Sequence, residues 1–265
     1  MEAENNVIEY NKQNQIGFIH LNHPPLNIIT KKWVKEMLYV LEMIEKDEEL
    51  KVVLLYHDGK CFSAGADVND MLDFLNSNTY VSVKMHTMIT IADRLAALPI
   101  PTIAAIDGMA LGGGFELALA CDFRIMGKNG KLALTEIDFD SFPGMGGVPR
   151  LMQLVGYSRA MEMILFAEEL DAEKAYREGV VNAVAEEESA YETAVCWAEM
   201  LAGKARIGLA ATKEMAHCLQ EKEREYLYLV SQSISQRVAD SGALHKQSQE
   251  FLSRKSKKKT VKNKL

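Results

Sequence analysis

Two carboxylates set among glycines carry most of the chemical information in this chain. In ALGGGFELALACD, residues 110–122, three consecutive glycines lead into a segment whose first charge is Glu116. Glycine lacks Cβ, so its backbone N–H groups can approach a ligand closely, and a helix starting there presents unpaired N–H groups and the positive end of its dipole. Such a site takes an anion or a developing oxyanion. Phosphate is one guest, although the lysine of GxxxxGK[ST] and the spacing of GxGxxG are both missing; an enolate or thioester oxygen fits at least as well. Glu116 has two readings. It is either a favoured first-turn residue of a helix or a working group, because the LALA that follows predicts a buried turn, where a carboxylate is costly unless paired or used.

Glu136, in KLALTEIDFDSFPGMGGVPR, is read as interrupting an apolar strand ahead of a second glycine-rich loop, residues 144–147. The 20-residue interval between Glu116 and Glu136 leaves room for a helix, a strand, a turn and a returning strand, which could bring both to one end of a sheet. Two carboxylates beside a backbone oxyanion site suit acid/base chemistry next to a carbonyl, one accepting a proton and the other donating one. Asp138 and Asp140 compete for the second role, but they approach the loop, where solvent reaches them.

The elements that must hold these groups follow from local pattern. VIEY and IGFIHL, separated by NKQNQ, predict an opening hairpin, which HPPL ends. Residues 30–46 carry Trp33, Val34, Met37, Leu38, Leu41 and Ile44 at helical spacing, with Thr30 as N-cap. KVVLLY predicts a strand, and HDGKCFSAGADVNDM a turn and small-residue loop entering a helix. Residues 80–96 form another helix, and PIPTIAAI is a buried strand closed by the Asp107–Gly108 turn. After the glycine triplet and its helix come strands FRIM and KLALTEI around the GKNG turn. This order is an α/β pattern of stacked turns. Past Val184 the chain is nearly all helix former and reads as a helical appendage, ending in RKSKKKTVKNKL, a solvated, frayed tail.

Composition bounds the function classes. The chain has 265 residues, 48% of them hydrophobic, and a formal net charge of −7, enough apolar content for a core and a field that repels nucleic acid. The four cysteines have no CxxC or metal spacing, the first residues lack a signal-peptide layout, and the six histidines form no HxxxH or HExxH pair. The expectations are a reducing, cytoplasmic location, no membrane span and no metal.

CFSAGADV (residues 61–68), PTIAAIDGMALGGGFELALACDFRI (101–125) and PGMGGVPRLMQLVG (143–156) resemble the signature blocks of the crotonase, or enoyl-CoA hydratase/isomerase, superfamily, and the likeness continues through AEKAYREGVVNAV (172–184). The resemblance implies an α/β spiral of repeated ββα units: a crotonase core over residues 1–186, and a helical C-terminal region over 187–265 for homotrimer or hexamer assembly, with the basic tail at 254–265. It implies acyl-CoA thioester substrates, no cofactor beyond the coenzyme A of the substrate, and a place in fatty-acid β-oxidation. It maps an oxyanion hole onto the N–H groups of Ala66 and Gly113, the base toward water onto Glu116 and the proton donor onto Glu136. Leu26, Ile28, Ala64, Asp67, Val68, Met109, Gly112, Pro143 and Gly144 are implied to line the acyl-CoA site. Family members that hydrate enoyl-CoA keep both glutamates, so hydration leads. An enoyl-CoA isomerase, a thioester hydrolase and a cyclic dienoyl-CoA hydratase are the alternatives within the fold. Leu134 and Thr135 replace the glutamine and proline many hydratases have, and Val148 a threonine.

Other residues have plainer readings. Leu26 and Ile28 suit a structural turn as well as a binding loop; Asp67 suits a helix cap better than an acid, and Asp70 is a further acid candidate. Cys61 and Cys121 are read as small core residues, and Met71, Met109 and Met145 as core filling that would also suit an acyl pocket. The lysine-rich tail is the one feature pointing to an RNA-binding or scaffold role, against the acidic charge and the intact glutamate pair. It could also reach a coenzyme A phosphate on a neighbouring subunit.

Overall fold

The computed structural model describes residues 6–185, 189–218 and 221–262. β1 (Ile8–Gln13) and β2 (Ile16–Leu21) form the expected antiparallel hairpin. α1 (Lys31–Lys46) begins at Thr30, whose hydroxyl accepts from the Trp33 N–H, and buries Trp33, Met37, Val40, Leu41 and Ile44 along one stripe.

From here the chain repeats one unit. β3 (Val52–His57) joins a large sheet and β4 (Cys61–Ser63) a small one, before α2 (Val68–Asn76), a π-helical turn (Tyr80–Met85) and α3 (His86–Ala97). β5 (Thr102–Ile106), β6 (Met109–Leu111) and α4 (Gly113–Leu119) repeat it. So do β7 (Phe123–Gly127), β8 (Lys131–Ala133), a 3₁₀ turn (Glu136–Phe139), α5 (Gly147–Val155) and α6 (Tyr157–Leu165). β9 (Leu170–Asp171), α7 (Ala172–Arg177) and β10 (Ala183–Ala185) complete the sheets; α8 (Ala190–Ala202), α9 (Arg206–Cys218), α10 (Glu221–Asp240) and α11 (Ala243–Lys262) follow.

The large sheet has the order β1-β2-β3-β5-β7-β10 and the small one β4-β6-β8-β9. All pairs are parallel except β1–β2 and β8–β9. Each turn therefore adds one strand to each sheet, which is the spiral of ββα units implied by the resemblance. Successive side chains on a strand point to opposite faces, so Val53 and Leu55 enter the main core between sheet and helices while Val52 and Leu54 pack on the other face with Ala190, Ala194 and Ala198 of α8.

Three local expectations are corrected. Glu136 does not sit on a strand: β8 stops at Ala133 because its partner β6 ends at Leu111, where the glycine triplet begins, and Glu136 heads the 3₁₀ turn. β4 and β6 are strands where small residues had suggested only loop and turn. The basic end is helical through Lys262, because lysine and arginine propagate a helix already nucleated; the side chains of residues 255–265 lie outside those described. The region past 187 also divides. α8 is the second layer of the large sheet, whereas α11 packs on α2 and the 3₁₀ turn. No described helix is long and apolar enough to cross a membrane.

Candidate active site

Two loops meet first. The segment after β2 pairs with the loop after β4: the Ala64 N–H donates to Leu26 O (2.9 Å), the Ile29 N–H to Gly65 O (2.9 Å) and the Asp67 N–H to Ile29 O (3.1 Å). Asn27, buried, ties them by donating to Cys61 O (2.7 Å), and the Ser63 hydroxyl donates to Asn27 O (2.7 Å). In this parallel bridge the partners of Ile29 are Gly65 O and the Asp67 N–H, so the Ala66 N–H faces away from the pairing. Gly65, at φ +86, lets the loop approach the glycine triplet: a Cβ there would lie 2.9 Å from Leu111 O and 3.3 Å from the Gly113 N. Gly113 is the first residue of α4, so its N–H has no partner within the helix.

Glu116 is 3% exposed. Its Oε1 accepts from the N–H groups of Met145 and Gly147, each at 2.8 Å, and Arg150 steadies that loop by donating to Met145 O (2.9 Å) and to Asp93 (2.7 Å). The far end of α4 is held by Arg124, buried, which donates to Cys121 O (2.6 Å) and Val180 O (2.7 Å). Glu136 reaches the same space from the 3₁₀ turn, past Gly112, where a Cβ would come within 3.1 Å of its Oε1. Its Oε2 is buried with no hydrogen-bond partner among the described residues.

These surroundings separate the two carboxyls. Burial raises both above the ordinary carboxylate range, but Met145 and Gly147 N–H groups favour the ionised form of Glu116 and Arg150 helps by its charge, whereas the charge of Glu116 raises Glu136 further. Of the pair, Glu116 is therefore the one that ionises first.

Both glutamates line one cavity of about 370 Å³, together with Leu26, Ile28, Ala64, Ala66, Asp67, Val68, Gly112, Gly113 and Gly144. Met71 and Met145 line it as well; Met109 and Pro143 do not. Met109 starts β6, at the strand end away from the cavity, and Pro143 packs behind, against the Gly147 backbone. Asp67 caps α2, accepting from the N–H groups of Asn69 (2.7 Å) and Asp70 (3.0 Å). Asp138 and Asp140 are exposed, and Cys61 and Cys121 are buried, their thiols pushed up by burial to about 11 and about 12.

Sequence reasoning missed a whole wall. Tyr80, Lys84 and Met85 of the π-helical turn and Met88 of α3 face the cavity, and Leu244, Phe251 and Leu252 of α11 close it. Tyr80 is buried, its phenol pushed up to about 12 by that burial, beside Ser141 and the charges of both glutamates. A tyrosine and a lysine one turn apart among apolar residues were the available signal.

Two carboxyls of unequal proton affinity and the backbone of Ala66 and Gly113 thus share one largely apolar cavity. The profile of the enoyl-CoA hydratase/isomerase family matches residues 11–258. The chain is 36% identical to a short-chain-enoyl-CoA hydratase of Clostridium acetobutylicum over 81% of each chain, and 34% identical to the mitochondrial enoyl-CoA hydratase of Pongo abelii over 79% of this chain and 71% of that one. Among solved structures, an enoyl-CoA hydratase from Bacillus anthracis superposes with a TM-score of 0.74 at 31% identity, covering 84% of this chain and 91% of that one. With the ββα spiral and this cavity, they establish that the chain belongs to the enoyl-CoA hydratase/isomerase family.

Proposed function

We propose that this protein adds water reversibly across the C2–C3 double bond of a 2-enoyl-CoA thioester. The observation that carries the reading is the asymmetry of the carboxyl pair: Glu116 receives two N–H donors and Glu136 none on Oε2. Ionised Glu116 takes a proton from water as its oxygen attacks C3. The π electrons move through C2 onto the thioester oxygen, which accepts from the N–H groups of Ala66 and Gly113. The enolate then collapses as Glu136 delivers its proton to C2, and reversal of each step gives dehydration. Each N–H donor to the oxyanion contributes about 10² to 10³ in rate.

The lining of Leu26, Ile28, Ala64 and Val68 supports coenzyme A entry along the paired loops. The reaction belongs to fatty-acid β-oxidation, in a homotrimer or a hexamer of two trimers, and the free thiol of exposed Cys196 suits a cytoplasmic setting. Loss of the conjugated enoyl absorbance of crotonyl-CoA tests the reading. Glu116→Gln and Glu136→Gln should each lower kcat by about 10² to 10⁴ while remaining folded and assembled. Full activity in either variant, or no hydration of any enoyl-CoA by the wild type, overturns it. An isomerase would instead create the absorbance from a 3-enoyl thioester.

A further inference from the structure

Lys84 is the single cation among the described residues that line the cavity, and the hydration steps leave it without a task. It is half-buried, one turn after Tyr80 and one before Met88, which face the same space. Its Nζ lies 5.9 Å from the Tyr80 ring centroid and makes no ion pair or hydrogen bond among the described residues. The acids nearest in charge have partners elsewhere: Asp67 accepts from the N–H groups capping α2, and Asp70 accepts from the Lys31 N–H (2.8 Å) and lies 3.5 Å from the Lys31 ammonium. Its surroundings otherwise disfavour charge, and burial lowers its pKa to about 8. Asp67 and Asp70 favour its charge from a distance without pairing with it, so an ammonium kept in such a place has its donors free for a ligand anion.

Resting on the hydratase reading, we infer that Lys84 pairs with a carboxylate carried on the acyl group, so that the preferred substrates are 2-enoyl thioesters with a free carboxylate at the distal end of the acyl chain. The charge balance favours this guest. One ammonium among methionine and tyrosine side chains pairs with a single monoanionic carboxylate. Tyr80, beside both glutamates, fixes this helix face at the reacting end of the substrate.

Calorimetry with unreactive saturated thioesters tests the pairing independently of turnover. Wild type should bind glutaryl-CoA about 10- to 100-fold more tightly than butyryl-CoA, the scale of one hydrogen bond to a charged group. Lys84→Met should abolish that preference and Lys84→Arg retain most of it. In turnover, the ratio of kcat/KM for trans-glutaconyl-CoA to that for crotonyl-CoA should fall by the same factor in Lys84→Met. Equal wild-type affinities overturn the inference. So does a Lys84→Met loss that is equal for both CoA thioesters and absent for the corresponding pantetheine thioesters, which would place a coenzyme phosphate on the lysine. If the binding preference holds but neither unsaturated thioester is hydrated, the hydratase reading fails and the anion site stands.

Discussion

Glu116 and Glu136 are the same residue type in one cavity, and only their neighbours make them different. Because the acceptor must be ionised and the donor protonated, kcat/KM should rise with pH through the pKa of Glu116, above the ordinary carboxylate range, and fall again as Glu136 loses its proton. A profile flat from pH 5 to 9, in rate measurements free of unfolding, would contradict this. The same shifts bear on stability. A carboxyl whose folded pKa is raised contributes its full stability below the unfolded value, and that contribution is lost as pH rises through the folded pKa. Glu136→Gln, which cannot ionise, should therefore be at least as stable as wild type at pH 8, with the difference shrinking toward pH 4.5 in denaturant melts. Both glutamates stand out in the sequence because each breaks an apolar context. Their inequality does not, since it comes from N–H groups 29 and 31 residues away from Glu116.

At the scale of elements, the cavity depends on helices that the sequence identifies without saying where they dock. Lys213 of α9 donates to Asp122 (2.6 Å) and Ile100 O (3.1 Å), while Asp122 also accepts from the Thr102 N–H (2.8 Å). Lys213→Met leaves a charged acceptor without its cation and should cost about 1.5 to 3 kcal/mol in chemical denaturation. The rings of Phe139 and Phe251 lie 5.4 Å apart, joining α11 to the 3₁₀ turn that carries Glu136. Phe251→Ala opens that wall, so kcat/KM should shift toward longer acyl chains when a series of enoyl-CoA thioesters is compared; an unchanged length profile would show that α11 does not bound the acyl group. Helix propensity makes α8 and α11 look alike in sequence. One has an alanine stripe that fits flat against a sheet, the other a few large apolar side chains that reach a cavity.

For the whole molecule, the spiral leaves some large apolar side chains uncovered, among them Tyr157, Leu165 and Phe166, 65%, 51% and 80% exposed at the ends of α6. A single exposed hydrophobic residue carries no information, but three around one short helix suit a subunit contact. The homotrimer or hexamer proposed above predicts a multiple of three chain masses in sedimentation, and Phe166→Asp should shift it toward smaller species. A monomer at micromolar concentration would remove the assembly reading while leaving the cavity, which one chain builds alone, intact.

By itself the sequence determined the class of the fold, the hairpin, the capped first helix, the Asp67 cap and both glutamates, because these rest on local signals: periodicity, cap residues and charges in apolar runs. The tertiary structure alone decided which groups share a space. The strand ends that stop β8 before Glu136, the pairing of residues 26–29 with 64–67 and the wall of Tyr80, Lys84 and Phe251 all depend on segments far apart in the chain. Proton affinity and cavity shape are set by burial and by neighbours in space, and neither quantity is a property of a residue and its adjacent sequence.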